Sequence, residues 1–148
     1  MKYVHHYIVR IEGTYSDNQL TSVPHIPGIY LVYKVSNTGE RILLYIGESS
    51  DVSDRLNNFH EKRAEWEKSK SADDQLEYMI LTNDLFSSNQ IRCSVENAFI
   101  FYHKPPVNVE GKDSFNYNDC IDICFDGLVP SGIYPLFRVC GDNKFNKL

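Results

Sequence analysis

Two tyrosines and an arginine stand close to glycines in one part of this chain, and their residue types suit phosphate chemistry. Tyr30 ends the string Gly-Ile-Tyr, Tyr45 begins the string Tyr-Ile-Gly, and Arg55 follows eight residues after the second string. Phosphodiester hydrolysis needs a nucleophilic water, positive charge beside the developing negative charge, and help for the leaving oxygen. Phenols can orient a water molecule by hydrogen bonding. They can also deprotonate it once their own pKa falls below its usual value of about 10. Arginine can bind a phosphate through two parallel donors.

A glutamate and an asparagine further along the chain supply what such a reaction still lacks. Glu96 begins and Asn108 ends the segment ENAFIFYHKPPVN. Mg²⁺ keeps several waters and takes only one or two protein carboxylates, so one helical glutamate suffices as its anchor. Glu96 stands among apolar neighbours, where a carboxylate without a partner is costly if it is buried.

Each of these residues also has an ordinary structural interpretation. Tyr30 and Tyr45 could be strand aromatics that pack a core, and Arg55 could be a solvated helix charge. Glu96 could complement a helix dipole, and Asn108 could form a turn after two prolines. The joint spacing of the residues favours a site over separate coincidences.

The elements that must position these residues follow from periodicity and turn signals. Strands are predicted over residues 3–12, 28–36, 41–47 and 76–82, helices over 51–70 and from Ser87 or Ser88 to 103, and a further hairpin near the end of the chain. The SNTGE turn joins the second and third strands into an antiparallel hairpin. This order predicts one α+β domain over residues 1–148, with a small antiparallel or mixed β-sheet flanked by helices.

The motifs together resemble those of the GIY-YIG nuclease superfamily over residues 28–108. The two tripeptides, the arginine, and the glutamate and asparagine of the later helix occupy the family's places. The resemblance implies a GIY-YIG-like fold, preceded by an N-terminal strand and loop over 1–27 and followed by a hairpin-like extension over 109–148. It also implies a Mg²⁺-dependent nuclease in which Mn²⁺ can substitute. A second Gly-Ile-Tyr at 132–134 lacks a matching partner motif and is interpreted as coincidence.

The resemblance implies a role for each matching residue. Tyr30 is the expected general base, and Tyr45 positions the attacking water or the phosphate. Arg55 is expected to bind the substrate through its scissile phosphate. Glu96 is the expected metal ligand, and Asn108 is expected to hold a loop or a water of the site in place.

Further positions bear on the substrate or the base. Gly47 would let the backbone approach the substrate, and Lys104 would bind it. Many family members carry a histidine four residues after the arginine, where this chain has Phe59. His60 follows one residue later, about 100° further round the predicted helix. His60 is therefore a catalytic candidate that the predicted helix turns away from the arginine.

The charge balance limits the classes of protein that fit. A net charge of −5 and a pI of about 5.5 argue against non-specific coating of nucleic acid, which depends on many lysine and arginine contacts. A DNA-binding face must therefore gather the few cations, and six residues are candidates for it: Arg55, Lys62, Arg63, Arg92, His103 and Lys104. Because no apolar run approaches the ~20 residues of a membrane span and no signal peptide is evident, a cytoplasmic protein is favoured.

The four cysteines give little sign of a zinc site. They are Cys93, Cys120, Cys124 and Cys140, and no two of them form a CxxC pair. Buried free thiols in a reducing compartment are the favoured interpretation. A zinc-stabilised protein–protein adaptor rests only on these cysteines and on scattered histidines.

The leading functional hypothesis is a Mg²⁺-dependent DNA endonuclease that uses one metal ion. The length of the chain suggests a freestanding restriction-type or phage-related enzyme rather than a fragment of a repair enzyme. Cutting both strands would need two sites, which makes a homodimer plausible. The alternative is a catalytically silent module on the same fold that binds DNA or a protein partner, and the acidic balance supports it.

Overall fold

The computed structural model describes residues 3–115 and 117–141. Within these residues the chain forms six strands, three α-helices and one 3₁₀ helix. The elements are β1 (Val4–Ser16), the 3₁₀ helix (Asp17–Ser22), β2 (Gly28–Val35), β3 (Arg41–Ser49), α1 (Val52–Asn57), α2 (Arg63–Ser69), β4 (Gln75–Thr82), α3 (Asn89–His103), β5 (Cys120–Phe125) and β6 (Leu136–Cys140).

The strands form one mixed sheet in the order β3-β2-β4-β1-β5-β6. Strands β1 and β5 run parallel, and the other neighbouring strands run antiparallel. The predicted hairpins are present as β2–β3 and β5–β6. The prediction of an α+β domain with a small mixed sheet flanked by helices is therefore confirmed.

The two faces of the sheet carry separate hydrophobic clusters. Because side chains alternate along a strand, Ile29 and Leu31 point to one face of β2, whereas Tyr30 and Val32 point to the other. The first face packs against α3, and the second packs against α1 and α2. Trp66 of α2 belongs to the cluster on the second face. Strand β3 lies at the edge of the sheet and contacts α3 as well as α1 and α2.

The prediction of one helix over residues 51–70 is wrong, because the helix is interrupted. Asp51 caps α1 as expected and accepts the Asp54 N–H at 3.0 Å. At Asn58 the backbone leaves the helical region (φ −113°, ψ −176°), and the Asn58 amide donates to the Asp54 carbonyl at 2.7 Å. Helix α2 begins only at Arg63. Residues 59 and 60 are therefore not helical, and helical phase does not decide where they point.

The prediction of buried free thiols is wrong for all four cysteines. Cys120 and Cys140 face each other across β5 and β6 and form a disulfide. Cys93 is exposed, and Cys124 is half-buried. Pairing in a sheet brings cysteines together that are twenty residues apart in sequence, a proximity that the absence of CxxC spacing does not exclude.

None of the described helices is long and apolar enough to cross a membrane.

Candidate active site

The ring of Tyr30 lies against the backbone of its cross-strand partner, Gly47. The two residues are paired in the β2–β3 register, and Tyr30 is 1% exposed. A Cβ added at Gly47 would lie 2.3 Å from the Tyr30 hydroxyl oxygen. The space left by the missing side chain is therefore filled by Tyr30. The close packing of Tyr30 is thus a reason for glycine at position 47 within the fold, and approach of the Gly47 backbone to a substrate stays a prediction.

His60 joins Tyr30 in the site because the helix break directs its side chain inward. His60 is 2% exposed, and its Nε2 lies 2.8 Å from the Tyr30 hydroxyl. The Lys62 N–H donates to Nδ1 at 3.1 Å, so the neutral ring carries its proton on Nε2 and donates it to Tyr30. Burial, and then the charge of Arg55, lower the pKa of His60 to about 4. The Tyr30 hydroxyl thus accepts from His60 and keeps its own proton for another partner.

Both tyrosines are neutral phenols in their present surroundings. Burial raises the pKa of Tyr30, with a smaller contribution from Tyr45, while Arg55 opposes the rise. Burial, followed by the charge of Glu96, raises the pKa of Tyr45 to about 12. The two rings lie 6.2 Å apart between centroids. Deprotonation of either phenol requires added positive charge nearby.

Arg55 is engaged by a carboxylate that follows it on the α1–α2 loop. Its Nη2 donates to both oxygens of Glu61, at 2.7 and 2.8 Å, and its Nη1 donates to the Phe59 carbonyl at 3.3 Å. This hydrogen bonding is the main reason that the pKa of Glu61 falls to about 2. Carboxylates and phosphates bind guanidinium groups in similar ways, so Glu61 engages the donors with which Arg55 is predicted to bind a phosphate.

Glu96 has the electrostatics of an uncompensated carboxylate. It is half-buried on α3 and, within the described part of the chain, accepts no hydrogen bond and forms no ion pair. Burial raises its pKa to about 8, and Glu48 and Glu110 add to the rise. Arg92 lowers this pKa, but Arg92 itself is bound to Glu48 at 2.5 Å. Glu96 therefore lacks a positive partner of its own, which suits a cation ligand.

A cleft of about 450 Å³ beside the edge strand brings several of these groups together. It is lined by Tyr45 from β3, Glu61 and Lys62 from the α1–α2 loop, Glu96, Asn97 and Ile100 from α3, and Asn108, Val109 and Glu110 from the segment after α3. Among residues 3–115 and 117–141, no group of three or more His, Cys, Asp or Glu side chains is placed to hold a metal. Mg²⁺ held by one carboxylate and several waters fits this donor set.

Asn108 fastens the segment after α3 to the edge of the sheet. Its side-chain oxygen accepts the Ile46 N–H, and its amide donates to the Ile46 carbonyl, both at 2.9 Å. Val107 adds a backbone bond to Leu44. Asn108 is 5% exposed, so its amide takes the place of a missing neighbouring strand. It fixes one wall of the cleft.

Several predicted cationic contacts are not at the cleft. Lys104 ends α3 in the left-handed conformation and donates to the Lys112 carbonyl, outside the cleft lining. Arg92 is buried against Glu48, and Arg63 donates to the Tyr78 hydroxyl at 3.0 Å. The predicted basic face is therefore partly consumed by contacts that hold the fold together.

Sequence reasoning missed two groups that the geometry brings to the site. Glu61 is one of them, and no sequence motif points to it. An acidic residue in a charged segment is ordinarily interpreted as part of the solvated surface. The anchored position of His60 is the other. The Asn57–Asn58 pair before it is a signal that could have been used, since asparagine is a poor helix former that favours helix ends.

Comparison with known proteins points to one protein of the UvrABC system. No protein-family model matches the chain. UvrABC system protein C from Methanosarcina acetivorans is 29% identical over 133 residues, and that from Actinobacillus pleuropneumoniae is 26% identical over 98 residues. These matches cover 85% and 66% of this chain. The chain spans only 23% and 15% of the length of those relatives.

Solved structures to which the chain is similar include the GIY-YIG N-terminal endonuclease domain of UvrC from Thermotoga maritima. Its magnesium-bound structure is 23% identical, with a TM-score of 0.41, over 62% of this chain and 93% of that domain. A point mutant of the domain bound to its catalytic divalent cation is 24% identical at the same TM-score. The paired strands of this chain carry both tyrosine–glycine motifs, and the chain is an α+β domain similar over 85% of its length to part of UvrABC system protein C.

Proposed function

We propose that this chain is a Mg²⁺-dependent DNA endonuclease that hydrolyses phosphodiester bonds with one metal ion. The observation that carries the proposal is the meeting of Tyr45 and an unpaired Glu96 in one cleft, beside the hydrogen-bonded pair of Tyr30 and His60. A half-buried carboxylate without a partner is costly for a fold and is suited to a cation. The similarity to UvrABC system protein C supports the same class of activity.

Each residue has a defined task in this proposal. Glu96 holds Mg²⁺, which when bound supplies charge to the phosphate and the leaving oxygen. Tyr30 accepts the His60 N–H, and once nearby positive charge has lowered its pKa and its own proton has passed to solvent, the phenolate takes the proton of the attacking water as general base. Arg55 releases Glu61 and binds the scissile phosphate with two donors. Tyr45 orients the water or the phosphate from the cleft wall.

The biological setting of the enzyme is a finer part of the proposal. The restriction-type or phage-related setting expected from chain length has no support among the relatives described above, which belong to the UvrABC system. A setting like that of the UvrABC system is the better proposal. One chain carries one such site, so we expect single-strand nicks, and linear products only where a second copy cuts the other strand.

A catalytically silent binding module is the second candidate. The ion pair between Arg55 and Glu61, and the acidic lining of the cleft, favour it, since both oppose the approach of a phosphate. The two candidates differ in one respect that is simple to measure. A nuclease nicks DNA in the presence of a divalent cation, whereas a binding module leaves it intact.

The deciding experiment incubates supercoiled plasmid with wild-type protein, Glu96→Gln and Tyr30→Phe, in Mg²⁺, in Mn²⁺ and in EDTA. We expect metal-dependent nicking by the wild type and a loss of about 10²-fold or more in both variants. Glu40→Gln removes the same charge from an exposed turn and serves as the control. Circular dichroism verifies that each variant is folded. Equal nicking by Glu96→Gln would refute the assignment of the metal ligand.

A further inference from the structure

Phe59 displays its ring to solvent beside the phosphate-binding arginine. The side chain is 86% exposed, although the next residue, His60, is 2% exposed. Large aromatic side chains stabilise a fold by being buried, and Phe59 contributes little in this way. The ring therefore remains available to a binding partner.

The backbone that presents this ring is held on both sides. The Phe59 carbonyl accepts from Arg55 at 3.3 Å, and the Asn58 amide donates to the Asp54 carbonyl at 2.7 Å. On the other side, His60 is anchored to Tyr30 at 2.8 Å. Phe59 is thus a pre-positioned group, and binding through it costs less conformational entropy than binding through a mobile loop.

We propose, on the basis of the function proposed above, that Phe59 stacks on a nucleobase next to the phosphate that Arg55 binds. A base and its phosphate are neighbours on one nucleotide, and the Arg55 guanidinium lies against the backbone carbonyl of Phe59, the residue that carries the exposed ring. Every base has an uncharged π-face on which an aromatic ring can stack. This contact does not require the cationic groove that the acidic cleft lacks.

The chemistry around Phe59 favours a base over a protein partner. Its neighbours along the chain include the polar residues Asn57, Asn58, Glu61 and Lys62, and the ring itself is 86% exposed. Protein interfaces are built on contiguous, largely apolar cores. A single exposed ring next to an arginine that binds a carboxylate matches one nucleotide instead.

The test compares cleavage by wild type and Phe59→Ala on an oligonucleotide whose cut position has been mapped with the wild-type enzyme. We expect Phe59→Ala to raise KM about tenfold, in line with the loss of one stacked base, while Phe59→Trp retains activity. An abasic site at the stacked nucleotide should remove the difference between wild type and Phe59→Ala. Tyr3→Ala, which removes an aromatic ring that is 69% exposed at the start of the described chain, is the matched control.

A second readout separates this inference from the proposed catalysis. In the Glu96→Gln background, 2-aminopurine placed at the stacked nucleotide should be quenched on binding, and Phe59→Ala should abolish the quenching. If Phe59→Ala cuts and binds like wild type, the stacking inference fails and the nuclease stands. If wild type never cuts but Phe59-dependent quenching persists, the stacking contact stands and the nuclease fails. Loss of both would overturn both.

Discussion

At the scale of single residues, the site is governed by hydrogen bonds that decide where protons lie. The Lys62 N–H fixes the tautomer of His60, and His60 in turn fixes the role of the Tyr30 hydroxyl as an acceptor. In the proposed reaction His60 acts through Tyr30, which makes it a positioning residue. Arg55 is paired with Glu61, and the proposed phosphate would have to compete with that carboxylate. Each of these arrangements depends on one neighbour placed within hydrogen-bonding distance.

The buried, neutral His60 predicts how stability depends on pH. Its pKa is about 4 in the folded chain and about 6.5 when unfolded, so between these values only the unfolded chain binds the proton. Stability is therefore lost as the pH falls from 6.5 to 4, by about 3 kcal/mol in total. Urea unfolding of wild type and His60→Gln at pH 7, 5.5 and 4 measures this. Equal pH dependence in the two proteins would show that His60 is not the source.

At the scale of elements, the β2–β3 hairpin builds half of the site through its register. Tyr30 pairs with Gly47, and a shift of one residue would turn the Tyr30 ring to the opposite face of the sheet. The break between α1 and α2 places His60 within hydrogen-bonding distance of the Tyr30 hydroxyl, on the face of the sheet that packs against these two helices. Asn108 holds the segment after α3 against β3 on the other side of the cleft. The site is therefore the junction of three elements at one sheet edge.

The fit of Tyr30 over Gly47 predicts a specific coupling between the two positions. Gly47→Ala places a methyl group 2.3 Å from the Tyr30 ring, so the ring must move and its bond to His60 must break. We expect a loss of about 1–3 kcal/mol in unfolding free energy, as for other overpacked cores. In a Tyr30→Leu background the same substitution should cost much less, because the ring is gone. A double-mutant cycle by urea unfolding measures the coupling, and simple additivity would contradict this account.

At the scale of the whole molecule, charge limits how the protein can meet DNA. The chain carries a net charge of −5, and two of its arginines, Arg63 and Arg92, are committed to internal contacts. The cleft itself presents three glutamates and one lysine. The negative charge of the cleft repels a DNA phosphate, and a divalent cation bound there would offset part of that repulsion. Metal binding should therefore precede tight binding of DNA.

The cleft predicts that Mg²⁺ stabilises the folded chain even when no DNA is present. The proposed assignment has Mg²⁺ bind the folded state at Glu96, so Mg²⁺ at about ten times its Kd should add about 1.4 kcal/mol and raise Tm by roughly 4 °C. Thermal melting in Mg²⁺ and in EDTA measures the effect. The shift should disappear in Glu96→Gln and remain in Glu40→Gln. A Mg²⁺ shift that survives in Glu96→Gln would place the metal elsewhere.

The sequence by itself determined the local features of this protein. The apolar alternation of β2 and β3, the SNTGE turn and the Ser88 cap of α3 all depend on near neighbours, and they were predicted close to their observed bounds. The candidate residues could likewise be found from residue type and spacing. Local preferences suffice for such features because the contacts that create them span only a few residues.

Only the tertiary structure decided which side chains meet. The turn at Asn58 carries His60 to Tyr30, and the folded loop brings Glu61 onto Arg55. Sheet pairing joins Cys120 to Cys140, and packing of α3 commits Arg92 to Glu48. These outcomes depend on burial and on partners far away in sequence, which residue spacing does not encode.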